Sequence, residues 1–93
     1  MKKLNKKLKV RNMVSERGNK IANQFDIYLD NAVFFQSYDT IIALNDRGQI
    51  YLDENAWDYS MTTGKYRNIF LREKRLETER KIANGTYKLV NLN

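Results

Sequence analysis

A chain of 93 residues holds one domain and one core, since domains usually run about 100 to 150 residues and one this short hides only roughly 60 to 65% of its surface on folding. Its hydrophobic fraction of 42% fits a globular domain, and the absence of cysteine and histidine excludes disulfides, thiolate zinc sites and thiol nucleophiles and removes the commonest general base. The net charge of +6 attracts polyanions of any kind, whether nucleic acid, anionic membrane or acidic protein, within a Debye length of about 8 Å.

Residues 1–20 carry eight basic residues against Glu16, a net +7. Leu4, Leu8 and Val10 lie near helical spacing, but an isolated helix of under about 12 to 15 residues is marginal, and like charges at i, i+4 such as Lys2 and Lys6 weaken it further. The segment therefore reads as a flexible basic arm hinged at the polar run Ser15-Glu16-Arg17-Gly18-Asn19. It either grips a polyanion, acts as a solubilising tail, or folds back on acidic residues of its own or a neighbouring chain. Its charged start lacks the apolar stretch and cleavage site of a signal peptide. The longest apolar-rich run, residues 32–38, falls far short of the roughly 18 to 20 residues that span a bilayer. The expectation is a cytoplasmic protein with no membrane contact.

Residues 21–93 form a single domain. From Gln24 the period is two, with Phe25, Ile27 and Leu29 on one side and Gln24, Asp26 and Tyr28 on the other, the pattern of a half-buried strand. Asp30-Asn31 is a turn. Residues 32–36 and 40–44 make either one kinked strand or two strands broken at Ser37-Tyr38-Asp39, where a bulge fits. Asn45-Asp46-Arg47-Gly48 is a hairpin turn, and residues 49–52 return. Over residues 21–58 seven acids face Arg47 alone, a net −6. Asp26, Asp30, Asp39, Asp46, Asp53 and Glu54 are the candidates for an acidic surface that meets a protein partner.

Ser60 caps a helix over about residues 61–72 with Tyr66, Ile69 and Phe70 on its apolar side. Gly64 costs this helix about 1 kcal/mol, so either the helix starts later or close packing needs a missing side chain there. A second helix, about residues 74–84, stops at Asn84-Gly85, and residues 86–92 alternate as a last strand. The fold class is α+β: a small antiparallel meander of three to five strands packed with two short helices. Phe25, Ile27, Phe35, Ile41, Ile50, Trp57, Tyr66, Phe70, Ile82 and Leu89 are the expected core.

Catalytic chemistry finds no foothold. Asp53, Glu54 and Asp58 fit no calcium loop. Thr62-Thr63-Gly64-Lys65 lacks the upstream Gly and the following Ser or Thr of a phosphate loop. No two carboxylates stand out for glycosidic work. No catalytic residue, metal or cofactor is expected, and the class is a binding protein. Nucleic acid would meet the arm and the helices, through Lys2, Lys3, Lys6, Lys7, Lys9 and Arg11 with Arg67, Arg72, Arg75 and Lys81, because the acidic meander repels phosphate.

The runs Asn23-Gln24-Phe25, Phe35-Gln36-Ser37-Tyr38 with Ile41-Ile42-Ala43, and Trp57-Asp58-Tyr59-Ser60 with Thr62-Thr63-Gly64-Lys65-Tyr66-Arg67 and Phe70-Leu71 resemble a family of small uncharacterised proteins from phages and prophages of Gram-positive bacteria. Glu77-Thr78-Glu79, Lys81-Ile82, Gly85, Tyr87 and Leu92-Asn93 resemble it too. The resemblance covers roughly residues 14–93 and implies an accessory phage gene product without supplying an activity or a site; residues 1–13 look like an extension. That context implies a stoichiometric inhibitor of a host protein, a CRISPR nuclease among the targets, with the acidic meander and the basic arm as contact surfaces. A nucleic-acid-binding accessory protein is the runner-up. A self-assembling protein whose arm and acidic block pair between copies is the third reading, and oligomeric state stays open.

Overall fold

The computed structural model describes residues 8–93, which run β1 (Leu8–Val14), β2 (Lys20–Leu29), β3 (Ala32–Ser37), β4 (Thr40–Asp46), β5 (Gln49–Asp53), α1 (Met61–Leu71), α2 (Arg75–Ala83) and β6 (Lys88–Val90). One six-stranded sheet takes the strands in sequence order. β1 to β5 are antiparallel neighbours and β6 is parallel to β5. The α+β class holds, but six strands replace the three to five expected, and the sheet is mixed.

The extra strand comes from the segment read as an arm. Leu8 to Asn12 pair with Leu29 to Phe25, and Ser15 to Asn19 close the turn, with the Ser15 carbonyl accepting from Gly18 N–H at 2.9 Å. Leu8 and Val10 alternate with Lys9 and Arg11, so the period-two signal of a strand was present beneath the charge. Lys2, Lys3, Lys6 and Lys7 lie outside the described residues.

Two-residue turns join the next strands at Asp30-Asn31, Tyr38-Asp39 and Arg47-Gly48. The last has φ of 52° and 97°, both positive as a type I′ hairpin requires, and Asn45 Oδ1 accepts from Gly48 N–H at 2.9 Å. Residues 32–44 are thus two strands. The bulge falls at Ile42, opposite the step from Phe35 to Gln36.

β6 lies parallel to β5 because a helical crossover carries the chain back to the start of the strand it left. Ser60 Oγ caps α1 by accepting from Thr63 N–H at 3.1 Å. The Phe70 ring stacks on Phe35 at 5.7 Å, and Thr63 Oγ1 bonds Ser37 Oγ at 3.3 Å. These contacts put α1 on the face that carries Phe35, Ala43 and Leu52, a cross-strand row with all three fully buried.

Register decides which face each strand buries. Asp26 stands opposite Phe35 and Tyr28 opposite Val33, so the helix side of β2 holds Gln24, Asp26 and Tyr28. Phe25 and Ile27, expected in the core, point away from the helices together with Leu29, as does Ile41 of β4, also expected inside. They join Leu8, Val10, Ala32, Phe34, Leu44 and Tyr51 on the other face of the sheet. Leu8 and Val10 are 66% and 56% exposed and the rest are half-buried, against 0% for Phe35, Ala43 and Leu52. The core is Met13, Phe35, Ile42, Ala43, Leu52, Ala56 and Tyr87, with Ile50, Trp57, Tyr66, Phe70 and Ile82 packed against it. Leu89, expected inside, is exposed on the short edge strand.

Candidate functional site

Most of the ionic groups on the helix side serve the fold. Arg67 is fully buried. Its Nη1 donates to the Trp57 carbonyl at 2.8 Å and to Asp58 Oδ1 at 2.9 Å, and its Nη2 to Asn68 Oδ1 at 2.9 Å. The guanidinium lies 5.2 Å from the Trp57 ring centroid and beneath Gly64, where an added Cβ would meet Arg67 Nη2 at 3.7 Å, an ordinary contact. α1 therefore starts at Met61 with Gly64 inside it. Arg75 Nε reaches Asp58 Oδ2 at 2.7 Å and its Nη1 pairs with Glu79. The two arginines, Arg75 foremost, hold the Asp58 carboxyl below its usual range.

A second cluster ties α2 to the entry of β6. Glu73 Oε1 accepts from Lys81 Nζ at 2.7 Å and from Tyr87 Oη at 2.8 Å, and Oε2 from Thr78 Oγ1 at 2.6 Å. Burial works to raise the Glu73 pKa, but these donors outweigh it and the net shift is down. At the end of β5, Asp53 is buried and accepts backbone N–H groups of Leu92, Asn55 and Ala56 at 2.9 to 3.1 Å. Its pKa too falls below the usual value despite burial.

A groove of two cavities that share Ile69 runs beside α1; Arg17, Lys65 and Arg72 line it, while Lys20, Lys74 and Lys88, equally without ion pairs among the described residues, do not. At its β1–β2 hairpin end a 630 Å³ cavity is lined by Val14, Arg17, Ile21, Lys65, Tyr66 and Ile69, with Ser15 and Glu16. Ile69 also lines a 480 Å³ cavity at the C-terminal end of α1, with Met13, Tyr28, Val33, Ile50, Phe70 and Arg72 around it. Lys65 and Ile69 share this side because their i, i+4 spacing stacks them on one helix face, and Arg72, the left-handed cap of α1, lines the same cavity as Ile69. On the sheet side Arg11 faces Asp26 and Lys9 faces Tyr28 across the β1–β2 ladder. Among the described residues Lys9, Arg11, Arg17, Lys65 and Arg72 form no ion pair.

Asp26 is the groove's acid. Burial raises its pKa and the nearby Arg11 opposes the rise. Its Oδ1 is buried without a hydrogen-bond partner. Arg72 stands in the left-handed conformation, φ 58°, where it ends α1 by donating its N–H to the carbonyls of Asn68 and Ile69. A glycine is usual there; Arg72 instead puts a basic residue among those that line the cavity.

Of the basic residues singled out in the sequence, Arg72 lines the groove, and Lys9 and Arg11 lie beside it on β1. Arg67 is interior, while Arg75 and Lys81 are committed to Asp58 and Glu73 and offer a partner less than their charge suggests. The acidic residues share no surface. Asp26 lies on the helix side, Asp30 and Asp46 flank the turns beside Arg47, Asp39 sits in the opposite turn, Asp53 is buried, and Glu54 alone follows it exposed. Lys65 and Arg17 were not singled out. The i, i+4 spacing of Lys65 and Ile69 on α1 was the available signal for the first, and nothing local marked the second.

Among the described residues no three side chains converge as metal ligands, and no helix is long and apolar enough to cross a membrane. No curated protein and no solved structure matches the chain. A family model does match residues 8–85, a span that takes in β1, the groove and the Arg67 cluster alike, and the chain accordingly belongs to the family of unknown function DUF8033.

Proposed function

We propose that this chain is a non-enzymatic accessory protein of phage or prophage origin that binds a nucleic-acid strand in the host cytoplasm and thereby inhibits or modulates a host machine, a CRISPR nuclease being one of that kind. The observation that supports this reading is the groove. Arg17, Lys65 and Arg72 line it together with Tyr28, Tyr66 and Phe70, and Lys9 and Arg11 stand on the adjoining edge strand opposite Tyr28 and Asp26; among the described residues none of the five cations forms an ion pair. Phosphates are drawn to unpaired Lys and Arg, and unstacked bases to aromatic rings. Single strands fit better than duplex, since the groove runs only the length of α1, whose 11 residues span about 16 Å.

The test is the affinity of the full chain for short single- and double-stranded oligonucleotides across a salt series. The expected slope of log K against log salt is about −0.7 for each phosphate neutralised on a single strand. Replacing Lys9, Arg11, Lys65 and Arg72 together by Gln should flatten that slope by about 2 to 3. Absence of binding at physiological salt, or binding that the four changes leave intact, contradicts the reading.

A second reading, occupancy of a host protein free of nucleic acid, draws support from the apolar floor of the groove, Met13, Val33, Ile50 and Phe70, which suits the side chains of an acidic protein segment. Capture of a nuclease-treated host protein by the full chain, lost in the same fourfold variant, would favour it.

A further inference from the structure

The face of the sheet opposite the helices carries one uninterrupted cross-strand row of apolar side chains, Val10, Ile27, Phe34, Leu44 and Tyr51, each the register partner of the next. Among the described residues no helix packs on this face; α1 and the ring of Phe70 lie on the other. An antiparallel sheet whose second face meets water alternates apolar with polar residues. Here both faces are apolar at the centre, the pattern of a sheet buried on two sides.

We propose that the open face is an interface between two copies of this chain, packed sheet against sheet. The size of the face agrees. Six strands at about 4.8 Å spacing and seven residues at about 3.3 Å rise cover roughly 550 Å², so two copies bury on the order of 1,100 Å², about the lower bound for a specific interface. The face is also self-complementary, as a two-fold pairing requires. Its centre bears no charge. At its rim Asp46 is already paired with Arg47, and Lys88 lies at the far strand, so an apolar centre meets an apolar centre with no like charges forced together.

The alternative route to a pair, through the exposed edge of β1, is disfavoured by that strand itself. Lys9 and Arg11 would be brought against their own copies across an antiparallel edge, where like charges repel. Face-to-face packing keeps these cations outward. It leaves the two basic grooves on opposite outer surfaces of the pair, so two strands or two stretches of one strand are engaged at once. The inference does not depend on what the groove binds.

Sedimentation velocity on the full, nuclease-treated chain across a concentration series, at physiological and at high salt, tests it. The expected result is a dimer that dissociates on dilution and is strengthened by salt, because salt screens the net charge of +6 and leaves apolar packing intact. Ile27→Lys and Leu44→Lys should each weaken it at least about tenfold, by burying an unpaired charge, while near-UV circular dichroism of the monomer stays unchanged. A monomer at every soluble concentration overturns the proposal, as does a dimer that both variants leave intact. A monomer that binds an apolar dye, with the dye lost in Leu44→Lys, also overturns it and assigns the face to a different occupant.

Discussion

At the scale of single residues, burial separates ion pairs that hold the fold from those that decorate it. Arg67 and Arg75 both reach Asp58, yet Arg67 is interior while the Arg75 side chain is 56% exposed. Removing Arg67 strips the Trp57 carbonyl and the Asn68 side chain of their donor inside the protein and leaves Asp58 with Arg75. Arg67→Ala is expected to cost about 3 kcal/mol or more, the scale of a broken buried pair, and Arg75→Ala far less, because solvent screens its exposed pairs; urea unfolding of the two variants compares them directly. Titration gives a second contrast. Asp53, Asp58 and Glu73 have folded pKa values below their unfolded ones, so their contribution is complete above the unfolded values near pH 4 and is lost as pH falls through the folded ones. Asp26 has the opposite sign: its pKa is raised, so its ionised form costs stability at neutral pH and the cost disappears as acid protonates it. Thermal midpoints followed from pH 7 to pH 2 should fall steeply below about pH 4, and Asp26→Asn should raise the midpoint at pH 7 while leaving the acid limb in place.

At the scale of elements, Arg72 sets stability against binding. A left-handed non-glycine residue carries a strain of about 1 kcal/mol. Arg72→Gly should therefore stabilise the chain by about that amount in urea unfolding while removing one phosphate contact, about 0.7 from the salt slope for a single strand. Gain of stability together with loss of affinity would mark a side chain kept for its partner; loss of both would return Arg72 to the fold. Elements were also where the sequence could be read most directly. The Arg47-Gly48 hairpin, the Ser60 cap and the stop near Asn84-Gly85 rest on local chemistry, and each sits where the pattern put it. β1 was missed because charge at Lys9 and Arg11 drew attention from the alternation it sat in. Strand β2 was found with its faces reversed: alternation defines two faces, and only pairing with β3 and the position of α1 say which one the helices cover.

At the scale of the whole molecule, net charge misleads without geometry. The −6 of residues 21–58 suggested an acidic surface, but the acids scatter among turns, a buried anchor at Asp53 and the groove at Asp26. The basic helices look richer in contacts than they are, since Arg67, Arg75 and Lys81 are consumed by their own fold. What survives is a two-sided object, with unpaired cations along a groove on the helix side and an apolar sheet on the other. No single segment of sequence displays either surface, because each is assembled from strands and a helix far apart in the chain.

The most direct measurement of the central claim is amide chemical-shift mapping of the full chain on addition of a short single-stranded oligonucleotide. The account predicts that shifts concentrate at Met13, Tyr28, Lys65, Ile69 and Arg72, around the groove, while Ile27, Phe34, Leu44 and Tyr51 on the opposite face stay still. Shifts that fall on the sheet face, or none at all at physiological salt, would contradict it.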